Sequence, residues 1–162
     1  MKNQNNKEGR LYRFSMIVRF ITISFALFAF FYALFVIFFK TYRDSNLFIK
    51  IVPFVILFLV TNTLIKNLFS VNSIYITDSY IQFNYLLSKN LKIYWDKLVK
   101  LEFIVKGGRK ILLTYEDNGN IKNVIIPRAF PQLIEILNKI AYYSKHIELD
   151  DFMKTVITPI NE

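Results

Sequence analysis

Hydrophobic side chains are arranged in two different ways along this chain, and the arrangement changes near residue 70. Before that point, apolar residues follow one another in two long runs, whereas after it they alternate with polar residues. Apolar runs of about 20 residues are typical of helices that cross a hydrocarbon core of roughly 30 Å, and alternation indicates strands with one buried face. The pattern therefore predicts an α+β membrane protein.

The first apolar run covers residues 20–39 and contains no ionisable side chain. The second run covers residues 47–66, with Lys50 near its start, where a long side chain can extend to the headgroups. Pro53 lies in the first turns of this run, where its missing N–H costs little. A short polar stretch separates the two runs, so the sequence predicts a transmembrane hairpin over residues 20–69.

A cleaved signal peptide is the alternative interpretation of the first run. The run is longer than the usual apolar stretch of about 7–15 residues, and KTYRDS after it offers no pair of small residues for cleavage. Five basic residues lie in residues 1–19, against three in residues 40–50, and such an excess marks the cytoplasmic side. We therefore expect a basic cytoplasmic segment at residues 1–19 and both termini in the cytoplasm.

From residue 73 the chain shows short alternating runs that are separated by turn residues. The runs SIYIT, YIQFNYLL, LKIYW, VKLEFIVK, RKILLTYE and IKNVIIP predict about six antiparallel strands in a meander. Gly107-Gly108 and residues 117–120 are typical of tight hairpin turns. The alternation predicts that the inward-facing side chains include Ile81, Phe83, Tyr85, Leu91, Ile93, Trp95, Val99, Leu101, Phe103 and Val105.

The segment AFPQLIEILNKIAYYSKH changes to helical spacing. Pro131 suits a first helical turn. We expect one amphipathic helix that covers the open end of a small, curved sheet, because a single sheet of this size is marginally stable alone. The apolar positions that define its buried face are Phe130, Leu133, Ile134, Leu137, Ile140 and Ala141.

The strand pattern, the closing helix and three segments within them resemble a bacterial pleckstrin-homology-like (PH-like) domain. The segments are ITDSYIQF, IYWDKLVKLE and NVIIPRAF, and the most specific parts are residues 126–130 and 95–98. With the hairpin in front, the chain resembles the small bacterial membrane proteins of the YcxB-like type. This resemblance implies a partly open barrel over residues 72–147 on the cytoplasmic side of the inner membrane, with a tail at residues 148–162. The family barrel usually has seven strands, so the seventh is expected within residues 69–72 or is absent.

Charge and composition narrow the chemistry. The net charge is +9, and the basic residues are scattered, which favours anionic lipid over nucleic acid as a partner. The absence of cysteine excludes disulfides, zinc–thiolate sites and thiol nucleophiles, and a single histidine, His146, leaves little for metal binding. We expect neither a cofactor nor a metal.

Two groups of polar residues are candidate contact sites. Thr61, Asn62 and Thr63 form a polar notch in the second run, which predicts either a substrate path or an interhelical hydrogen bond. A set of basic residues lies on turns and outward strand positions and indicates either contacts with anionic lipid or a partner, or a solvated face. This set comprises Lys89, Lys92, Lys97, Lys100, Lys106, Arg109 and Lys110.

Several other residues are interpreted as structural. Trp95 is expected in the core, with Asp96 in a turn, and His146 at a helix end. Residues 117–120 lack the spacing of a calcium loop and favour a type I′ or related turn. Three acidic residues follow the helix, namely Glu148, Asp150 and Asp151. They are interpreted as part of a solvated tail, and not as paired acids for hydrolysis.

These features predict a non-enzymatic inner-membrane protein that presents a PH-like interaction or lipid-contacting module. Its expected partners are the bilayer, anionic headgroups, an unidentified protein and a second copy of the chain, and a sheet edge is available to add a partner's strand. An oligomeric pore or transporter accessory subunit is the alternative. A membrane-anchored immunity or defence component is a further one.

Overall fold

The structure is a computed structural model that describes residues 9–40, 46–105 and 109–158. The chain divides into two compact units. The helical unit is Phe14–Ser70, and the β unit combines Met1–Arg13 with Val71–Glu162. The β unit is therefore discontinuous in sequence, with the helical unit inserted after its first strand.

Two long helices form the helical unit. Helix α1 covers Met16–Phe35 and continues as a π-helical segment, Val36–Lys40. Helix α2 covers Leu47–Phe69, with Asn46 as its N-cap. Both predicted spans are helical, and both helices extend beyond them. With mean hydropathies of 2.5 and 2.2, both are long and apolar enough to cross a membrane.

The two helices pack through small side chains. Ala26 and Ala33 are buried on α1, two turns apart on one face, and Pro53 is buried on α2. Small residues at such positions let two helix backbones approach closely. Most of the large apolar side chains remain exposed, among them Phe20, Phe28 and Phe58. The surface of this unit is therefore suited to an apolar solvent.

Within its described residues, the β unit contains two four-stranded sheets. Sheet 1 is antiparallel in the order β1-β2-β3-β4 and consists of β1 Arg10–Arg13, β2 Val71–Ile76, β3 Tyr80–Tyr85 and β4 Leu91–Tyr94. Sheet 2 has the order β7-β6-β5-β8 and consists of β5 Leu98–Ile104, β6 Lys110–Asp117, β7 Asn120–Ile126 and β8 Glu148–Leu149. A 3₁₀ turn, Trp95–Lys97, joins the sheets. Helix α3 covers Leu133–Tyr143, and helix α4 covers Asp151–Val156.

Two strands were not expected from the sequence. Strand β1 precedes the helical unit and pairs antiparallel with β2. Of the two alternatives for a seventh strand, residues 69–72 form no separate strand, because Phe69 ends α2 and Val71 begins β2. Strand β8 pairs in parallel with β5, so the structure departs from a pure meander. Residues 148–156 are therefore structured and do not form the solvated tail that the sequence suggested.

The interior of the β unit follows the predicted alternation in part. Ile81, Phe83, Ile93 and Leu101 are buried, together with residues of α3. Val99 is exposed, because an irregularity in the β5–β6 pairing between Leu98 and Lys100 reverses the facing of this residue. Two other departures come from the element bounds: Val105 lies beyond β5 and is exposed, and Pro131 precedes α3. Within the elements, Phe103 is half-buried and Ile134 is exposed.

The predicted turn between β6 and β7 and the predicted core position of Trp95 are both present in the described residues. Asn118 and Gly119 have φ values of 51° and 79° and join β6 to β7 as a type I′ turn does. The Gly107-Gly108 turn lies outside the described residues. Trp95 is buried, as predicted; its indole N–H donates to the Thr77 carbonyl at 3.0 Å, and its ring stacks on Tyr143 at 5.1 Å.

Candidate functional site

An open groove of about 640 Å³ runs between sheet 2, α3 and α4. Its lining is mainly apolar, with three polar side chains among the lining residues. Grooves of this size that combine apolar walls with a few polar groups are typical binding sites for ligands or peptide segments. The lining residues are Phe103, Ile111, Arg128, Gln132, Leu133, Ile134, Glu135, Leu137, Phe152, Met153 and Val156.

Asp150 holds the α4 wall of the groove in place. Its Oδ1 accepts from the backbone N–H of Met153 at 2.7 Å and so caps α4, while its Oδ2 accepts from the N–H of Phe103 at 2.7 Å. Phe103 in turn stacks on Phe152 with ring centroids 4.4 Å apart. Met153 is fully buried beneath. One carboxylate therefore connects α4 to β5 on either side of the groove.

Glu135 connects the α3 wall of the groove to β1. Its carboxylate accepts from the Tyr12 hydroxyl at 2.8 Å and pairs with Arg10 at 2.5 Å and Lys139 at 4.0 Å. Burial, and then the hydrogen bond to Glu135, raise the pKa of Tyr12 well above its ordinary value. The negative charge of Glu135 is thus compensated within the fold, whereas Arg128 is an exposed cation at the groove.

The predicted basic residues lie in several different surroundings. Lys92 lies over the rings of Tyr80 and Tyr94, with its Nζ 3.8 Å and 4.9 Å from their centroids. Lys100 pairs with Glu102 at 3.0 Å, and that hydrogen bond raises the pKa of Lys100. These contacts give both side chains an intramolecular role.

The remaining basic residues are spread over the β unit. Lys97 lines, with Lys92, a cavity of about 410 Å³ that also contains Glu116 and Asp117, so this cavity carries both signs of charge. Lys89 lies in the loop between β3 and β4, and Arg109 and Lys110 lie at the start of β6. Lys106 lies outside the described residues. The described members of the predicted set therefore lie on several different elements of the β unit.

The polar notch of α2 is partly used within the helical unit. The Thr63 hydroxyl donates to the Leu59 carbonyl at 2.9 Å, and the Asn67 side chain donates to the Thr63 carbonyl at 2.9 Å. Arg19 of α1 donates to the Asn67 carbonyl. Asn62 is exposed, and Thr61 is half-buried. The neighbouring hydrogen bond between Arg19 and Asn67 shows that polar contacts do join α1 to α2 at this end.

The remaining polar candidates have structural contacts. His146 lies just after α3, with its Nε2 2.9 Å from the Leu98 carbonyl. Asp117 pairs with Lys122 at the type I′ turn, and Asp151 pairs with Lys154. Within residues 9–40, 46–105 and 109–158, no group of three or more histidine, aspartate or glutamate side chains is placed to hold a metal ion.

Sequence reasoning missed the groove. Its α4 wall comes from the segment that the sequence analysis interprets as a tail. The signal for a helix in this segment was the pair Asp150-Asp151 before FMKTV, which is an acidic N-cap followed by apolar residues at helical spacing. Comparisons of the chain with protein-family models, curated proteins and solved structures gave no match.

Proposed function

We propose that this chain is an integral protein of the bacterial inner membrane that holds a PH-like binding module at the cytoplasmic face. The module is non-enzymatic and binds a partner protein through the groove between α3 and α4. The observation that carries the proposal is the pairing of β1 with β2, because these two strands flank the two long apolar helices.

The strand pairing supports a hairpin in the membrane. Arg10–Arg13 lies directly before α1, and Val71–Ile76 lies directly after α2, yet they are neighbours in one sheet. A chain that crosses a bilayer between two paired strands must cross it an even number of times. The exposed phenylalanines of both helices favour lipid as their surroundings, and the basic residues before α1 favour the cytoplasm for the β unit.

The order of elements supports the PH-like architecture. Strands β1–β4 form one sheet, β5–β7 form the main part of the second, and α3 follows β7 directly. With β1 included and the two-residue β8 left out, the seven strands and the helix after them agree with what the PH-like resemblance implies. In this proposal the transmembrane hairpin is an insertion between the first and second strands of the module.

The lining of the groove supports a protein segment as its occupant. The walls offer apolar contacts from Phe103, Leu133 and Phe152, while the charge of Glu135 is already compensated. The apolar walls favour a partner segment with apolar anchor residues. The positive charge of Arg128 favours an acidic residue in the same segment. The few acid–base groups in the groove support binding over catalysis.

The topology can be tested with single cysteines, because the chain contains none. We expect Lys154→Cys, on the exposed face of α4, to react with a membrane-impermeant maleimide only in inverted inner-membrane vesicles. Ser45→Cys, between the two helices in sequence, is expected to react only in right-side-out cells. Modification is read as a mass shift on a gel.

Denatured samples, in which both cysteines react, serve as the labelling control. If Lys154→Cys and Ser45→Cys are labelled from the same side of the membrane, the hairpin is wrong. Labelling of Lys154→Cys from outside intact cells contradicts the cytoplasmic assignment alone.

The groove can be tested by site-specific photocrosslinking in intact cells. A benzophenone side chain at Ile134, which lines the groove and is 61% exposed, is expected to give one discrete protein adduct. Arg128→Glu should remove most of this adduct, because it reverses the charge that faces the partner's acidic residue.

Ile121 on β7 is the matched control, since it is an isoleucine that is 62% exposed and lies outside the groove lining. The same adduct from position 121, or an adduct from position 134 that is unaffected by Arg128→Glu, contradicts the assignment of the groove.

A further inference from the structure

The loop between β3 and β4 carries two adjacent leucines into solvent. Leu86 and Leu87 are 49% and 61% exposed, and Lys89 beside them is exposed as well. Apolar surface in water costs about 25 cal/mol per Å², so two exposed leucines in one short loop indicate a contact that the isolated unit does not satisfy. We refer to residues 86–90 as the leucine loop.

The register of sheet 1 fixes the end of the sheet at which the leucine loop lies. Val71 pairs with Tyr85, and Ser73 is opposite both Arg13 and Asn84. The end of β3 is therefore beside the end of β1 and the start of β2. These two strand ends are the points at which the chain leaves for α1 and returns from α2.

Chain connectivity limits the distance between the leucine loop and a bilayer that α2 spans. The 23 residues of α2, at about 1.5 Å per residue, exceed a hydrocarbon core of roughly 30 Å, so Phe69 lies at the interface. Two residues of extended chain lead from Phe69 to Val71, one strand spacing leads from Val71 to Tyr85, and one further residue leads from Tyr85 to Leu86. Leu86 therefore lies no more than about 16 Å from Phe69.

We propose that the leucine loop inserts Leu86 and Leu87 into the interfacial layer of the bilayer, with Lys89 contacting anionic headgroups. This inference rests on the proposed function, because it requires that the helices span the membrane. Two leucines supply the apolar contact, and a lysine close to an anionic leaflet adds electrostatic attraction. The loop would give the β unit a third attachment beside its two chain connections and so restrict its rotation relative to the membrane.

The test uses single-cysteine variants of the full chain in vesicles of phosphatidylcholine and phosphatidylglycerol. Leu87→Cys is labelled with an environment-sensitive fluorophore. We expect a blue-shifted emission, strong quenching by lipids that carry a nitroxide near the headgroup, and weak quenching by aqueous iodide. Ile121→Cys, at a position that is equally exposed, should show the opposite quenching pattern.

A label at Phe28 in α1 separates the failure of this inference from failure of the anchor. If Phe28→Cys is quenched by lipids that carry a nitroxide on the acyl chain, but Leu87→Cys behaves like Ile121→Cys with the headgroup nitroxide, the leucine loop is overturned while the spans stand. If neither position is quenched by lipid, the anchor itself fails. Protection of position 87 from iodide without lipid quenching indicates a protein contact and also overturns the inference.

The lipid composition tests the role of Lys89. Raising the phosphatidylglycerol fraction should increase lipid quenching at position 87, and Lys89→Gln should remove that increase. An increase that survives Lys89→Gln overturns the headgroup contact of this residue.

Discussion

Tyr12→Ala is expected to destabilise the β unit by about 3–5 kcal/mol, although Tyr12 lies outside the continuous segment that forms most of this unit. The ring is 1% exposed and is opposite Ile74 in the β1–β2 register, and the hydroxyl donates to Glu135. Its removal leaves a cavity in the core, and it removes one of the two contacts of Glu135 to β1, so that the pair with Arg10 remains. Denaturant unfolding in detergent measures the effect through Trp95, the chain's single tryptophan, which lies in the same unit.

Two variants of the same strand and site act as controls for this prediction. Leu11→Ala, at the adjacent residue that is 52% exposed on the opposite face, should cost less than about 1 kcal/mol. Tyr12→Phe retains the ring and loses only the hydrogen bond, so we expect a cost of about 1 kcal/mol. Equal costs for Leu11→Ala and Tyr12→Ala would contradict the inward facing of Tyr12, and no cost for either would contradict the presence of β1 in the sheet.

Local sequence pattern was sufficient for the elements that are long or regular. The two apolar runs predicted both long helices, because length and continuous apolarity are direct requirements of a spanning helix. The alternation predicted the buried faces at Ile81, Phe83 and Ile93, and Asn118-Gly119 predicted its turn, because both residues have the positive φ that this turn requires.

Local sequence pattern did not predict strand β1, and the reason is physical. Arg10, Leu11, Tyr12 and Arg13 form a strand only because β2, which is distant in sequence, supplies the pairing groups. A four-residue segment that is flanked by arginines also has the composition of a basic membrane flank. The groove was not predicted for a similar reason, because its walls come from segments that are separate in sequence and meet only after folding.

The basic residues illustrate a further limit of sequence pattern. Their number predicted a surface suited to anionic partners, but pattern does not reveal which lysines are engaged within the fold. Lys92 lies over two tyrosine rings, and Lys100 pairs with Glu102. Lys89 lies in the loop that follows β3, and the sheet register places the end of β3 beside the strand ends that lead to the helices.

Asp150→Ala is expected to cost about 2–4 kcal/mol and to weaken the photocrosslink from Ile134. The carboxylate accepts two backbone N–H groups, from Met153 and Phe103, and hydrogen bonds to a charged group contribute about 1.5–3 kcal/mol each at most. Without it, α4 loses its cap and the groove loses the contact that holds Phe152 and Met153 against β5. Unfolding followed through Trp95 gives the stability, and adduct yield gives the state of the groove.

Asp151→Ala is the matched control, because Asp151 is the adjacent acidic residue and its side chain is fully exposed. It pairs with Lys154 three residues later, and exposed pairs of this kind contribute little. We expect its stability and adduct yield to match those of the unmodified chain. Asp150→Asn separates charge from shape, since its amide oxygen can accept one of the two N–H groups and should retain part of the stability. If Asp150→Ala and Asp151→Ala have the same effect, Asp150 does not connect α4 to β5, and the groove has no fixed second wall.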